Sequence, residues 1–165
     1  MMKKPEDAPP EQYDIKILKN GTWLYNGTPI NRHNLVKLFA TVLQKDAEGR
    51  YWLVTPYERG VIAVEDVPFT AIELRVESAG RGQKLSFRTN LDEWVDAGPL
   101  HPIRVAHDAK TQEPSPYVMV RGGMEARISR AVYYELAALA VPDDADAESL
   151  GVWSRNEFYA IGRAG

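Results

Sequence analysis

Ile30-Asn31-Arg32, followed by the apolar series Leu35, Leu38, Phe39, Val42 and Leu43, has a counterpart in Ile128-Ser129-Arg130, followed by Val132, Tyr133, Leu136, Leu139 and Ala140. Both apolar series have the spacing of one buried helical face. Both are preceded by a residue, Asn31 or Ser129, whose side-chain oxygen suits a helix N-cap. Between the windows Thr28 to Leu43 and Ala126 to Val141, the pairs Ile30/Ile128, Arg32/Arg130, Leu38/Leu136 and Ala40/Ala138 are identical. The order of elements recurs as well: a hairpin, a turn, a capped helix, a loop and a strand. Such a unit cannot bury its apolar face alone and has to dock on its twin. The fold class expected is therefore α+β and strand-rich, with two related halves. Each half is a hairpin, a capped helix and returning strands, in mixed or antiparallel sheets.

Working outward from the first helix, Tyr13, Ile15 and Ile17 alternate with Asp14 and Lys16, the period of a half-buried strand. Asn20-Gly21 and Asn26-Gly27 supply tight turns around a strand over Thr22 to Tyr25. Strands are also expected over Tyr51 to Thr55, Val61 to Val64, Ala71 to Glu77, Lys84 to Thr89 and Ile103 to His107. Asn90 to Ala97 reads as a short turn of helix capped by Asn90, and Pro114 to Pro116 as a loop or linker between the halves. Tyr117 to Val120, the turn Gly122-Gly123 and a strand over Phe158 to Ile161 complete the second half. The domain reading is a disordered tail over residues 1–12, an N-terminal half over 13–98 and a C-terminal half over 99–165.

Composition narrows the function classes. Twenty Lys and Arg against 23 Asp and Glu give a net charge of -3, which does not recruit a polyanion, so nucleic acid is not an expected partner. With no cysteine, disulfides, thiolate metal sites and a cysteine nucleophile are ruled out. No apolar run approaches the roughly 20 residues that span a bilayer, and the first residues lack a signal peptide's apolar core. A cytoplasmic location without membrane association is expected. No GxSxG elbow, phosphate-binding loop, dinucleotide fingerprint or HExxH pair occurs, so no cofactor, metal or catalytic residue is assigned. The three histidines, His33, His101 and His107, lack zinc-ligand spacing.

The string Trp23-Leu24-Tyr25-Asn26-Gly27-Thr28-Pro29-Ile30-Asn31-Arg32 resembles a bacterial family catalogued as domain of unknown function 1285. So do the run from Thr55-Pro56-Tyr57-Glu58-Arg59-Gly60 through Glu65-Asp66-Val67-Pro68-Phe69 and the segment Ala126-Arg127-Ile128-Ser129-Arg130. The resemblance covers nearly the whole chain after the tail. It implies an α+β fold with repeated structural motifs and a role in ligand sensing or signal transduction, and it carries over no catalytic residues.

Arg32 and Arg130 each stand where a helix dipole is positive, at a cost of roughly 0.3–1 kcal/mol. Either an acid or an anionic ligand could offset that cost. Glu58, Glu65 and Asp66 are the nearest acids in sequence, and an arginine beside a helix start suits a carboxylate or phosphate. Should the halves dock, the groove between them would gather Arg32, Arg130 and Tyr134. The expected function is a non-catalytic ligand-binding or regulatory module for a small anionic ligand or a protein partner. Two alternatives stand beside it: an interaction module or homodimer without a ligand, and a hydrolase or isomerase using the three carboxylates.

Overall fold

The structure, a computed structural model, describes residues 11–164. The chain forms two compact units, one of Met1–Pro68 with Gly122–Met124, the other of Phe69–Arg121 with Glu125–Gly165.

In the first unit the strands are β1 (Glu11–Ile17), β2 (Trp23–Tyr25), β3 (Thr28–Pro29), β4 (Leu43–Lys45), β5 (Tyr51–Val54) and β6 (Arg59–Val64), and helix α1 (His33–Ala40) lies between β3 and β4. They form one sheet in the order β3-β2-β1-β6-β5-β4. Two antiparallel meanders are thus joined through a parallel pair, β1 with β6. Asn26 and Gly27, with φ of 50° and 78°, make the two-residue turn between β2 and β3, a backbone state these two residue types tolerate best. The β4–β5 turn is held by Asp46, which accepts from Arg50 Nε at 2.7 Å and Trp52 Nε1 at 2.8 Å. The Trp52 hydrogen bond, ahead of those from Arg50 and Glu48, holds the Asp46 carboxyl well below the usual carboxylate range. Ile15, Ile17, Trp23, Val36, Ala40, Leu43, Trp52, Leu53 and Ile62 are buried.

The second unit repeats the sheet. Its strands β7 (Phe69–Glu77), β8 (Lys84–Thr89), β9 (Trp94–Asp96), β10 (Ile103–His107), β11 (Pro114–Arg121) and β12 (Met124–Ile128) run in the order β10-β11-β12-β7-β8-β9. Again the first and last strands, β7 and β12, pair in parallel. Helix α2 (Arg130–Ala137) follows β12, and β13 (Val141–Pro142), β14 (Ser149–Ser154) and β15 (Glu157–Arg163) form a three-stranded antiparallel sheet. Buried polar groups tie this small sheet to the larger one. Ser154 Oγ accepts from Leu85 N–H at 3.0 Å and donates to the Ala97 carbonyl at 2.8 Å, and Gln83 Nε2 donates to the Trp153 carbonyl at 2.8 Å.

The two related halves of an α+β, strand-rich chain are present, with several boundaries moved. The units part after Pro68 rather than after Gly98, because β7 pairs with β12 and carries β8 and β9 into the second sheet. Of the tail expected over Met1 to Gln12, residues 1–10 lie outside the described residues, while Glu11 and Gln12 belong to β1 and pair with Gly60 and Val61. No helix forms at Asn90. Its Oδ1 accepts from Thr70 N–H at 3.0 Å, and Asp92, with a φ of 66°, turns the chain into β9. Pro114 and Pro116 are not a loop or linker but the start of β11, opposite His107 and Val105 of the edge strand β10.

Helix α1 is only eight residues long, and the five-member stripe expected of it does not hold. Val36 and Ala40 are buried, Leu38 between them faces outward at 62% exposure, and Leu43 already belongs to β4. The N-cap of α1 is Arg32, with no side-chain cap bond, not Asn31. In α2, Ser129 caps as the sequence indicates, its Oγ accepting from Val132 N–H. Ser129→Ala should therefore cost about 1 kcal/mol of stability. Asn31→Ala should stay within about 0.5 kcal/mol of the parent. Urea denaturation of both variants checks the pair, and equal losses would contradict the assigned caps.

Candidate functional site

Two cavities flank Tyr25 and Phe39 in the first unit. The smaller, about 340 Å³, is lined by Gln12, Tyr13, Asp14 and Ile15 of β1, by Tyr25 and Asn26 at the β2 turn, by Phe39 and Val42, and by Leu53, Thr55 and Glu58. The larger, about 370 Å³, is lined by Tyr25, Thr28, Pro29, Ile30, Asn31, Arg32, Leu35 and Phe39. Both are at the lower end of the size range of small-molecule sites.

The shape of the smaller cavity follows from sheet pairing. The β1–β6 register is Gln12 with Val61 and then Lys16 with Ala63, so the irregularity lies between Gln12 and Lys16 and holds Tyr13, Asp14 and Ile15, three of the wall residues. Bulges of this kind re-aim side chains out of the ladder. The Tyr13 ring is laid against Gly60 of β6 so closely that a Cβ at position 60 would overlap it. The other end of the wall is set by packing, with Phe39 of α1 stacked on buried Trp23 at 6.4 Å between ring centroids.

The charges of the two cavities differ in sign. Arg32 is the one charged side chain lining the larger cavity, and among the described residues it makes no ion pair or hydrogen bond through its guanidinium. The smaller cavity carries Asp14 and Glu58. Its Tyr13 hydroxyl is buried and makes no well-formed hydrogen bond. Burial raises the Tyr13 phenol above its ordinary value of 10.0, and the negative charges of Glu58 and Glu11, with a weak hydrogen bond to Glu58, push it the same way.

Of the residues singled out from sequence, Arg32 and Glu58 line these neighbouring cavities. Glu65 does not join them: it accepts from Lys19 N–H at 2.8 Å and pairs with Lys16 at 3.7 Å. Asp66 is engaged as well. The expected acid partner of Arg32 is thus not among these three. Arg130 and Tyr134 belong to the second unit, where Arg130 opens α2 as an exposed side chain, also with no ion pair among the described residues. Tyr134 is 65% exposed, while its neighbour Tyr133 turns inward and burial raises its phenol pKa.

Other arginines of that unit are committed. Arg121 bridges to Glu93, Arg104 to Glu125 and Arg88 to Glu73 and Asp92, while Arg127 donates to Tyr117 and Ser115. Among the described residues no group of three acidic or histidine side chains could hold a metal, and no helix is long and apolar enough to cross a membrane.

Tyr13 was not legible as a site residue, since its place depends on a bulge in a parallel pair distant in sequence. Its titration gives a direct check. A phenol raised on folding contributes stability that is complete below pH 10 and is lost as pH climbs through the folded value. The tyrosinate absorbance difference between the parent and Tyr13→Phe should therefore develop above pH 10, and Glu58→Gln should bring it partway back. A difference that develops at or below pH 10 would contradict the geometry.

Comparison with known proteins bears on the whole chain. Residues 4–67 match the domain of unknown function DUF1285, N-terminal domain, and residues 68–161 the C-terminal domain of the same protein family. The chain is similar to the crystal structure of a DUF1285 family protein from Silicibacter pomeroyi DSS-3, at 39% identity over 99% of this chain and 91% of that one, with a TM-score of 0.87. It is also similar to a DUF1285 family protein from Shewanella baltica OS155, at 25% identity over 74% of this chain and 89% of that one, with a TM-score of 0.56. Among curated proteins there is no significant match. With the N- and C-terminal domain models matched in order over residues 4–67 and 68–161, the chain belongs to the DUF1285 family.

Proposed function

We propose that this protein is a non-catalytic ligand-binding module with a regulatory role, and that its first unit takes a small organic anion. The anionic group sits at Arg32, and the apolar body lies against Tyr25, Ile30, Leu35 and Phe39. The observation that carries the reading is the pairing of an otherwise apolar cavity with a single charged side chain, Arg32, that has no acid partner among the described residues. Arginine binds carboxylates and phosphates through paired N–H donors. Arg130, exposed and equally unpaired at the start of α2, is the equivalent cation of the second half, with Tyr134 on the same helix. A hydrolase or isomerase would need the carboxylates gathered and shielded. Instead, Glu65 is occupied by Lys16 and the Lys19 N–H, and Glu58 is exposed.

A second reading, an interaction module or homodimer, draws on the exposed Tyr25, Leu38 and Tyr57 of the same unit. It becomes the stronger one if no small anion binds.

The test is calorimetric titration of the full chain with straight-chain monocarboxylates and their uncharged amides. Carboxylates should bind and amides should not. Arg32→Ala should weaken binding about 10- to 100-fold, the size of a lost charge-assisted hydrogen-bond pair, with the urea midpoint unchanged. Arg130→Ala reports separately on the second half. Undiminished binding by Arg32→Ala overturns the proposal.

A further inference from the structure

We propose that the smaller cavity of the first unit, which has Asp14 and Glu58 in its wall, binds an organic cation of its own, a primary alkylammonium. The ammonium group sits at the two carboxylates and against the rings of Tyr13, Tyr25 and Phe39, and the alkyl body lies on Val42 and Leu53. This site is separate from the anion site at Arg32 and stands whether or not that reading holds.

Charge sets the sign of the ligand. None of the residues lining the cavity is basic, and among the described residues neither Asp14 nor Glu58 has a cation partner. The negative field also reaches a buried wall group: after burial itself, the charges of Glu58 and Glu11 hold the Tyr13 phenol above its ordinary value. The walls then select among cations. Three aromatic rings line the cavity, and the negative faces of such rings attract an ammonium group. The fold fixes two of these rings, Tyr13 by its close approach to Gly60 and Phe39 by its stacking on Trp23. Tyr13 serves through its ring alone, since its hydroxyl is buried and turned to Glu58. Glu58 is exposed, and its carboxylate has more lone pairs than one phenol uses, so it can still accept from an ammonium N–H. Other cations fit less well. Among the described residues no group of three acidic or histidine side chains could hold a metal, and a quaternary ammonium has no N–H to give the carboxylates.

The experiment is calorimetric titration of the full chain with butylammonium, butanol and butyltrimethylammonium at neutral pH, where the primary amine is charged. Butylammonium should bind, and its affinity should fall as salt is raised. Butanol should bind about 10-fold more weakly, and the quaternary ion more weakly than the primary one. Asp14→Asn and Glu58→Gln should each cost about 5-fold, the upper range for an exposed ion pair, with the urea midpoint unchanged because both side chains are exposed. Tyr25→Leu should weaken the ammonium more than the alcohol. Two controls should not weaken binding: Glu135→Gln, which removes an exposed acid of the second unit, and Arg32→Ala in the neighbouring cavity. Binding that persists undiminished in the Asp14→Asn/Glu58→Gln double variant, or that falls as much in Glu135→Gln, reflects the net negative charge of the chain and overturns the site. Absence of binding, or butanol binding as tightly as the amine, overturns it too. A quaternary ion that equals the primary amine overturns the ligand class.

Discussion

The parallel pairing of the first and last strands of each sheet is the constraint on which the rest of this molecule depends. In the first unit β1 lies beside β6, and in the second β7 lies beside β12, while every other strand pair described is antiparallel. Each sheet therefore consists of two meanders growing outward from a central parallel seam, and the strands joining the meanders stand at opposite edges. A flat sheet of six strands spans about 24 Å between its edges. In the first unit the connection from β3 to β4 contains α1, about 12 Å of helix with extended residues at both ends, which crosses the sheet and buries Val36 and Ala40 on the way. In the second unit, β9 and β10 are separated only by Ala97 to Pro102, and a turn between Gly98 and His101 shortens even that. No helix fits there, so the sheet must curl to bring its edges together, and helix α2 follows the sixth strand instead of the third.

The same seam makes the candidate site. A parallel ladder between β1 and β6 that ran without interruption would point Tyr13 and Ile15 to one face in strict alternation. The register shifts between Gln12 and Lys16, and Tyr13, Asp14 and Ile15 of that stretch line the smaller cavity. Gly60, on the opposite strand, lets the Tyr13 ring lie flat against the backbone, a contact no other residue at that position would allow. Glu58 enters because it immediately precedes β6. Helix α1 closes the other side through Phe39, held by its stacking on Trp23. Three elements remote from one another in sequence thus converge because the chain must return its sixth strand to its first.

What the sequence made legible was local. Asn26-Gly27 and Gly122-Gly123 declare their turns because few residues tolerate positive φ, and Ser129 declares its cap because the hydroxyl reaches an N–H three residues on. The errors arose where tertiary pairing overrides local preference. Asn90 has the composition of a cap but spends its side chain on Thr70, in a neighbouring strand. Leu38 has the spacing of a core residue, yet α1 ends two residues later and presents its Val36 and Ala40 face inward. Pro114 and Pro116 look like a linker because proline is uncommon in sheets, and they are accommodated at the start of β11. Arg32 was readable as a candidate because a cation at a helix start is locally unfavourable, and it lines one of the two cavities. Tyr13 was not, because nothing near it in sequence reveals the bulge.

The comparison of the two helix starts carries the functional argument a step further. Both helices follow an isoleucine and begin at or beside an arginine, although β3 is an edge strand of its sheet and β12 a central one. The likeness therefore belongs to the strand-to-helix joint and not to a position in the sheet. At the second joint Ser129 satisfies an N–H of α2, leaving Arg130 as the residue after the cap. At the first joint Arg32 itself occupies the cap position and supplies no side-chain acceptor, so that helix start is less well satisfied than its twin. A purely structural role would favour a serine or aspartate there, since either would cap the helix and avoid placing a cation at its positive end. Arginine is the poorer choice for folding, and its place on the apolar cavity is what the proposed anion site rests on.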